Sequence, residues 1–158
     1  VVPGNCDPRE ILQTLDESDS VCLHGSQINL GKICIAGVGG SNPTPFNTLF
    51  EMTDKQIDDI LGAVIPKMEK TVHNVLLTHA PPYGTLDRAN GNHVGSESIR
   101  KRMGGFDLVC CAHVHDDRGI MEQDGVRIVN PGPAMMGYGA MIHLGAEAKD
   151  IRIELLTV

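Results

Sequence analysis

Phe106-Asp107-Leu108-Val109-Cys110-Cys111-Ala112-His113-Val114-His115 (residues 106–115) is an apolar run that breaks into two histidines one residue apart. The run has the length and composition of a buried strand, and the histidines stand where such a strand would end. Two other stretches repeat the arrangement. Asn74-Val75-Leu76-Leu77-Thr78 runs into His79-Ala80-Pro81-Pro82, and Val1-Val2-Pro3-Gly4 leads into Asn5-Cys6-Asp7 like the last residues of a strand entering a loop. In α/β sheets, ligands bind beyond the carboxyl ends of the strands, so three such corners can converge on one cavity.

Around these strands helical and extended patterns alternate. Asp7-Pro8 followed by Ile11, Leu12 and Leu15 predicts a helix over 8–17 with Asp7 as its cap. Short β-prone runs over 21–23, 27–30 and 32–38 are separated by His24-Gly25 and Gly31 and end in Gly37-Val38-Gly39-Gly40, which reads as a tight turn because no Lys and no helix start follow it. The breaker-rich segment 41–47 is loop. Thr53 with Gln56 makes a capping-box pattern for a helix reaching toward Lys70, which Pro66 bends or ends early. A mobile Gly- and Asn-rich loop over 88–94 precedes a short helix over 96–103. After residue 118 the pattern is mostly β, with strands over 119–121, 126–129, 140–144 and 151–156 joined by turns such as Asn130-Pro131-Gly132-Pro133. Without repeats or low-complexity linkers, one domain over 1–158 is the economical reading.

The 158 residues are 41% hydrophobic and 21% charged, enough apolar side chain for a core, and with aromatics at 3% that core must rest on aliphatic residues. The net charge of -7 excludes broad binding to nucleic-acid polymers, which needs clustered Lys and Arg, but leaves a small phosphate ester open as substrate. Five cysteines at irregular spacing make a poor disulfide framework and point to a reducing cytoplasm; Cys110-Cys111 reads as strand packing. No apolar stretch approaches the roughly 20 residues of a membrane span.

His113 and His115 at this spacing aim two imidazoles at two neighbouring ions rather than chelating one, and His79 with the Asn5 side-chain oxygen can complete one shell. Imidazole suits zinc, iron and nickel, and oxygen suits manganese, so the metal stays open. Two ions roughly 3.5–4 Å apart would clamp a phosphate and activate a bridging water for in-line displacement. A shared carboxylate is also needed, and no Asp here stands in an obvious position to supply it; Asp116 and Asp117 read as solvent-facing or orienting groups. Isolated histidines are mostly surface or core residues, so His24, His73 and His143 fall outside the expected site.

Gly4-Asn5-Cys6-Asp7, His79-Ala80, Ala112-His113-Val114-His115 and Asn130-Pro131-Gly132-Pro133, in this order, resemble the later motifs of calcineurin-like metallophosphoesterases. Ser41 to Phe46 and His93-Val94-Gly95-Ser96 are similar to small archaeal and bacterial members. The resemblance implies an α/β four-layer sandwich, two mixed sheets flanked by helices. It also implies two divalent ions (Mn, Fe, Zn or Ni), Asn5, His79 and His113 on one and His115 on the other, and a bridging hydroxide that attacks a phosphodiester or phosphomonoester. The family's Asp-x-His and Gly-Asp motifs do not occur in these residues, so an N-terminal strand-helix-strand portion is expected upstream of Val1 and weak or no activity from this chain alone. Where the family often has an acid His, Cys6 stands; His93 is the expected substitute as catalytic acid. Two other readings remain: a non-catalytic protein-interaction scaffold of the same fold, against which the retained ligands argue, and a homo-oligomer or complex in which a partner pairs with an exposed sheet edge.

Overall fold

The computed structural model describes residues 1–158. In chain order the elements are α1 (Ile11–Asp16), β1 (Ser26–Asn29), β2 (Ile33–Val38), α2 (Asp54–Val64), β3 (His73–Thr78), β4 (Arg88–Ala89), β5 (Asn92–His93), α3 (Glu97–Arg102), β6 (Leu108–Cys110), β7 (Gly119–Gln123), β8 (Val126–Asn130), β9 (Tyr138–Leu144) and β10 (Ile151–Thr157). Six strands form one mixed sheet in the order β1-β2-β3-β6-β8-β7. The four central strands run parallel, with Val75 opposite Leu108 and Leu108 opposite Arg127, while the edge strands β1 and β7 are antiparallel to their neighbours.

Successive residues of a strand face opposite sides, and here both sides are covered. Leu76, Val109 and Ile128 point to one side, where they join Ile57, Leu61 and Val64 of α2 and Ile99 of α3 in the main core. Val75, Leu108 and Val129 point to the other, where the β9-β10 hairpin lays Ile142, Ile151 and Ile153 against them. Each fully buried Leu in this arrangement contributes about 1.5–3 kcal/mol. Helices, the six-stranded sheet and the hairpin sheet stack as three layers; these residues form no helical layer outside β9-β10. The α/β sandwich expectation holds in its two facing sheets, the second being the hairpin alone.

Local chemistry explains the boundaries. Thr53 and Gln56 form the expected capping box, and α2 stops at Val64, with Pro66 inside a short 3₁₀ turn. The helix expected over 8–17 is shorter and begins after Glu10 without a side-chain cap: Asp7 instead accepts the Gly4 N–H at 2.7 Å, closing the turn that carries Asn5. Residues 21–23 are not a strand: their backbone bonds run to Val1, whose amino group donates to the Val21 carbonyl and whose carbonyl accepts from Leu23, while Pro3 further along accepts from Gly40. That close passage explains Gly39, where a Cβ would lie 2.4 Å from Pro3; Gly40, at φ 72, instead backs onto Phe50, whose carbonyl a Cβ would meet at 2.6 Å. The segment 88–94, expected as a mobile loop, is the β4-β5 hairpin, turned by Asn90 and Gly91 at positive φ. No helix is long and apolar enough to cross a membrane.

Candidate metal centre

The three polar corners do meet. His79 follows β3, His113 follows β6 at φ 69, and Asn5 is carried against them by the segment hydrogen-bonded to Gly40 and Phe50. A left-handed backbone at a histidine is unfavourable by about 1–3 kcal/mol, and the surrounding contacts hold it there. The Asn5 Oδ1 lies 2.8 Å from His79 Nε2 and 3.2 Å from His113 Nδ1, and the two ring nitrogens are 3.2 Å apart. These three donors make a nearly equilateral triangle. Ligands about 2.1 Å from one octahedral ion stand about 3.0 Å from each other, so the triangle has the dimensions of one face of such a shell.

Electrostatics favour the same use. Burial, and then the neighbouring His113, push His79 down to about 4, and burial also lowers His113. Both rings are therefore neutral at neutral pH, the form that ligates metal. His115 adds to the lowering of both, but it is exposed, in the 3₁₀ turn His115–Asp117, and makes no hydrogen bond through its ring. No three His, Cys, Asp or Glu side chains are placed to hold an ion among themselves. The residues present thus fit one ion, through two imidazoles and an amide, and offer only His115 toward a second.

Hydrogen bonds behind the triangle fix its shape. The Asn5 Nδ2 donates to Thr48 Oγ1 at 2.9 Å, and that hydroxyl donates to Glu51 Oε1 at 2.7 Å. Glu51 also accepts from Thr44 Oγ1 and the Thr48 N–H, and these bonds draw its carboxyl down to about 2. The anion fixes the direction of the Thr48 O–H, which fixes which end of the Asn5 amide faces the histidines. Buried Asn130 clamps the histidine loop by donating to the Val114 carbonyl at 2.7 Å and the Asp117 carbonyl at 3.3 Å.

His93, His113 and His115 line one cavity of about 620 Å3, which also takes in Asn42, Phe46 and Tyr83. No Lys or Arg lines it. The structure therefore brings Asn5, His79 and His113 into contact and sets His115 and His93 on the wall of the adjoining cavity. Cys6 is exposed. His24 accepts the Gly39 N–H, His73 is buried with Nε2 on the Gly145 carbonyl, and His143 lies on the exposed side of β9, all outside this group. Burial raises both strand thiols, Cys110 to about 12 and Cys111 further, as expected of packing residues.

Sequence reading missed Thr48, Glu51 and Asp87, and had Asn130 only as the start of a motif, without its part in holding the histidine loop. For Asp87 a partial signal existed: Asn90-Gly91 is a two-residue hairpin turn, and folding back about it pairs Arg88 with His93 and brings Asp87 against Val94, next to His93. For Thr48 and Glu51 there was none, since only the passage of residues 1–5 beside 48–51 creates their contacts.

A family described as calcineurin-like phosphoesterase matches residues 1–117. The chain is 38% identical over 141 residues to the uncharacterized protein MJ1162 of Methanocaldococcus jannaschii, an alignment that takes in 84% of this chain and 62% of that protein. The chain thus spans less than two thirds of that relative's length. One crystal structure superposes with a TM-score of 0.78 at 23% identity, covering 99% of this chain and 64% of its own. The crystal structure of TT1561 of Thermus thermophilus superposes with a TM-score of 0.68 at 19% identity, covering 99% and 70%. Both are likenesses of fold.

Proposed function

The chain belongs to the calcineurin-like phosphoesterase family, and from that premise we propose that it is the later part of a metal-dependent hydrolase of small phosphodiesters or phosphomonoesters. The observation that carries the proposal is the triangle of Asn5 Oδ1, His79 Nε2 and His113 Nδ1, with edges of 2.8, 3.2 and 3.2 Å. These residues would hold one divalent ion, and His115 would serve a second. Divalent ions supply Lewis-acid polarisation of the phosphoryl group and activation of water at neutral pH.

The chain's own residues supply the rest. Thr48 and Glu51 orient the Asn5 amide, and Asn130 holds the loop that carries His113 and His115. The cavity beside them, at about 620 Å3, has the size of a small-molecule site, and its lack of Lys and Arg favours an ester with a single phosphate over a polyphosphate. His93 on its wall is the candidate catalytic acid, because exposed Cys6 carries a thiol where an imidazole would be needed. The metal is manganese, iron, zinc or nickel by ligand chemistry.

A second reading, a non-catalytic scaffold of the same fold, is favoured by one observation: no carboxylate joins His115 to complete a second ion site. One experiment separates the two. The chain, and the whole protein it belongs to, would be assayed against an aryl phosphodiester with added Mn2+, with and without chelator, beside His113→Ala. Metal-dependent turnover by the whole protein, abolished in His113→Ala, supports the hydrolase; equal rates in chelator reject it, and metal-independent binding of a protein partner with no turnover supports the scaffold.

A further inference from the structure

Asp87 is completely buried, yet it is a carboxylate at the base of a two-residue hairpin. Its Oδ2 accepts the backbone N–H groups of Gly84 at 3.0 Å and Gly95 at 2.9 Å, and its Oδ1 faces His93 Nδ1 at 2.5 Å. The His93 ring, with Tyr83 packed beside it at 5.6 Å between centroids, lines the same cavity as His113 and His115, and its Nε2 has no protein partner. The hairpin is also tied to the histidine turn, since the Arg88 N–H donates to Asp117 Oδ2 at 2.6 Å. One carboxylate oxygen satisfies the two backbone N–H groups; the other is left for the ring, where it decides which nitrogen His93 presents.

Resting on the hydrolase reading above, we propose that Asp87 is a positioning residue that holds His93 with its proton on Nδ1, so that Nε2 faces the cavity and passes a proton to the leaving oxygen of the phosphate ester. In its acid form the ring carries a second proton, on Nε2; as the bond from phosphorus to the leaving oxygen breaks, the electron pair stays on that oxygen and is capped by this proton, leaving the neutral ring with its proton on Nδ1. The oxygen of water forms the new bond to phosphorus and gives up a proton to solvent, and Nε2 takes a proton back from solvent. Ester and water become alcohol and phosphate, with no other reactant. The proton-delivering group thus sits on the β4-β5 hairpin, away from the turn that holds Cys6.

The carboxylate's partners make the test sharp. In Asp87→Asn, an amide nitrogen cannot face two N–H donors, so the amide oxygen must take Gly84 and Gly95 and the amide nitrogen must donate to His93 Nδ1. That moves the ring proton to Nε2. Nitrogen-15 NMR of histidine-labelled, metal-free chain, recorded with the ring neutral, should show His93 protonated at Nδ1 in the wild type and at Nε2 in Asp87→Asn. A wild-type ring protonated at Nε2, or a tautomer unchanged by the substitution, overturns the positioning role. If Asp87→Asn does not fold, the wild-type spectrum alone decides.

In the active whole protein, Asp87→Asn and His93→Gln should slow alkyl phosphate esters by about 10²–10⁴-fold. A nitrophenyl ester, whose leaving group needs no proton, should lose far less. Equal losses for the two esters overturn proton delivery while leaving hydrolysis standing. No hydrolysis of either ester by the wild type removes the hydrolase reading and proton delivery with it, while the NMR tautomer still decides the positioning role.

Discussion

Thr48→Val removes one hydroxyl and keeps the side chain's shape. In the wild type that hydroxyl is the partner of the Asn5 Nδ2 at 2.9 Å and donates to Glu51 at 2.7 Å. Glu51 keeps two partners in the variant, the Thr44 hydroxyl and the residue 48 N–H, so its own loss is small. Asn5 loses the bond that tells its amide oxygen from its amide nitrogen. An ion bound between His79 and His113 then has to select the correct amide orientation and leave a buried N–H without a partner. A net hydrogen bond is worth about 1 kcal/mol and an orphaned buried donor about 1–3 kcal/mol. Loss of such outer support typically weakens metal binding about 10–100-fold. We therefore expect Mn2+ or Zn2+ to bind Thr48→Val about 10-fold more weakly by isothermal titration calorimetry, with Thr48→Ser close to wild type because it keeps the hydroxyl. Binding by Thr48→Val within twofold of wild type would show that Asn5 is not held by this chain of bonds, or is not a ligand.

Three further outcomes are expected. In chelator, His79 has a pKa of about 4 in the fold against 6.5 unfolded, so between these values the unfolded chain binds more protons. The metal-free protein should hold the full contribution of this group above pH 6.5 and lose up to about 3 kcal/mol as pH falls toward 4, as read by denaturant titration across that range. Asn130→Ala should cost about 1–3 kcal/mol, because two carbonyls of the histidine loop lose a buried donor, and should weaken metal binding as well; a variant that melts and binds metal like wild type would refute the clamp. Leu61→Ala, at a fully buried position between α2 and the sheet, should lose about 2–5 kcal/mol by denaturant titration without altering metal affinity per folded molecule.

How far the sequence could be read depends on whether a residue's role is set by its neighbours in the chain or by segments that arrive from elsewhere. β3, β6 and β8 were legible because a parallel strand buried on both faces needs an unbroken apolar run. The α2 boundaries were legible because Thr53, Gln56 and Pro66 act within one turn. Asp7 was misread although its competitor is also local. Asp before Pro is a sound helix-cap signal, but the Gly4 N–H three residues back competes for the same carboxylate and wins, and α1 starts later without a cap.

The site divides in the same way. Strand-then-histidine marks Asn5, His79 and His113 as occupants of the carboxyl edge of the sheet, and the fold brings their donor atoms within 3.2 Å of one another. What fixes each donor's direction was not read from the strand-then-histidine pattern: Asn5 is oriented by Thr48 and Glu51 from a distant part of the chain, His113 by a loop held from Asn130, and His93 by Asp87 across a turn. Ligand identity can be specified by a residue and its strand, because reaching the edge of the sheet is enough. Ligand orientation needs a second polar atom within hydrogen-bond reach, and in a packed fold that atom comes from whichever segment happens to lie alongside. Substitutions at Thr48, Glu51, Asn130 and Asp87 should therefore change affinity and tautomer while leaving the strands intact, whereas substitutions at Leu76, Val109 or Ile128 should do the reverse.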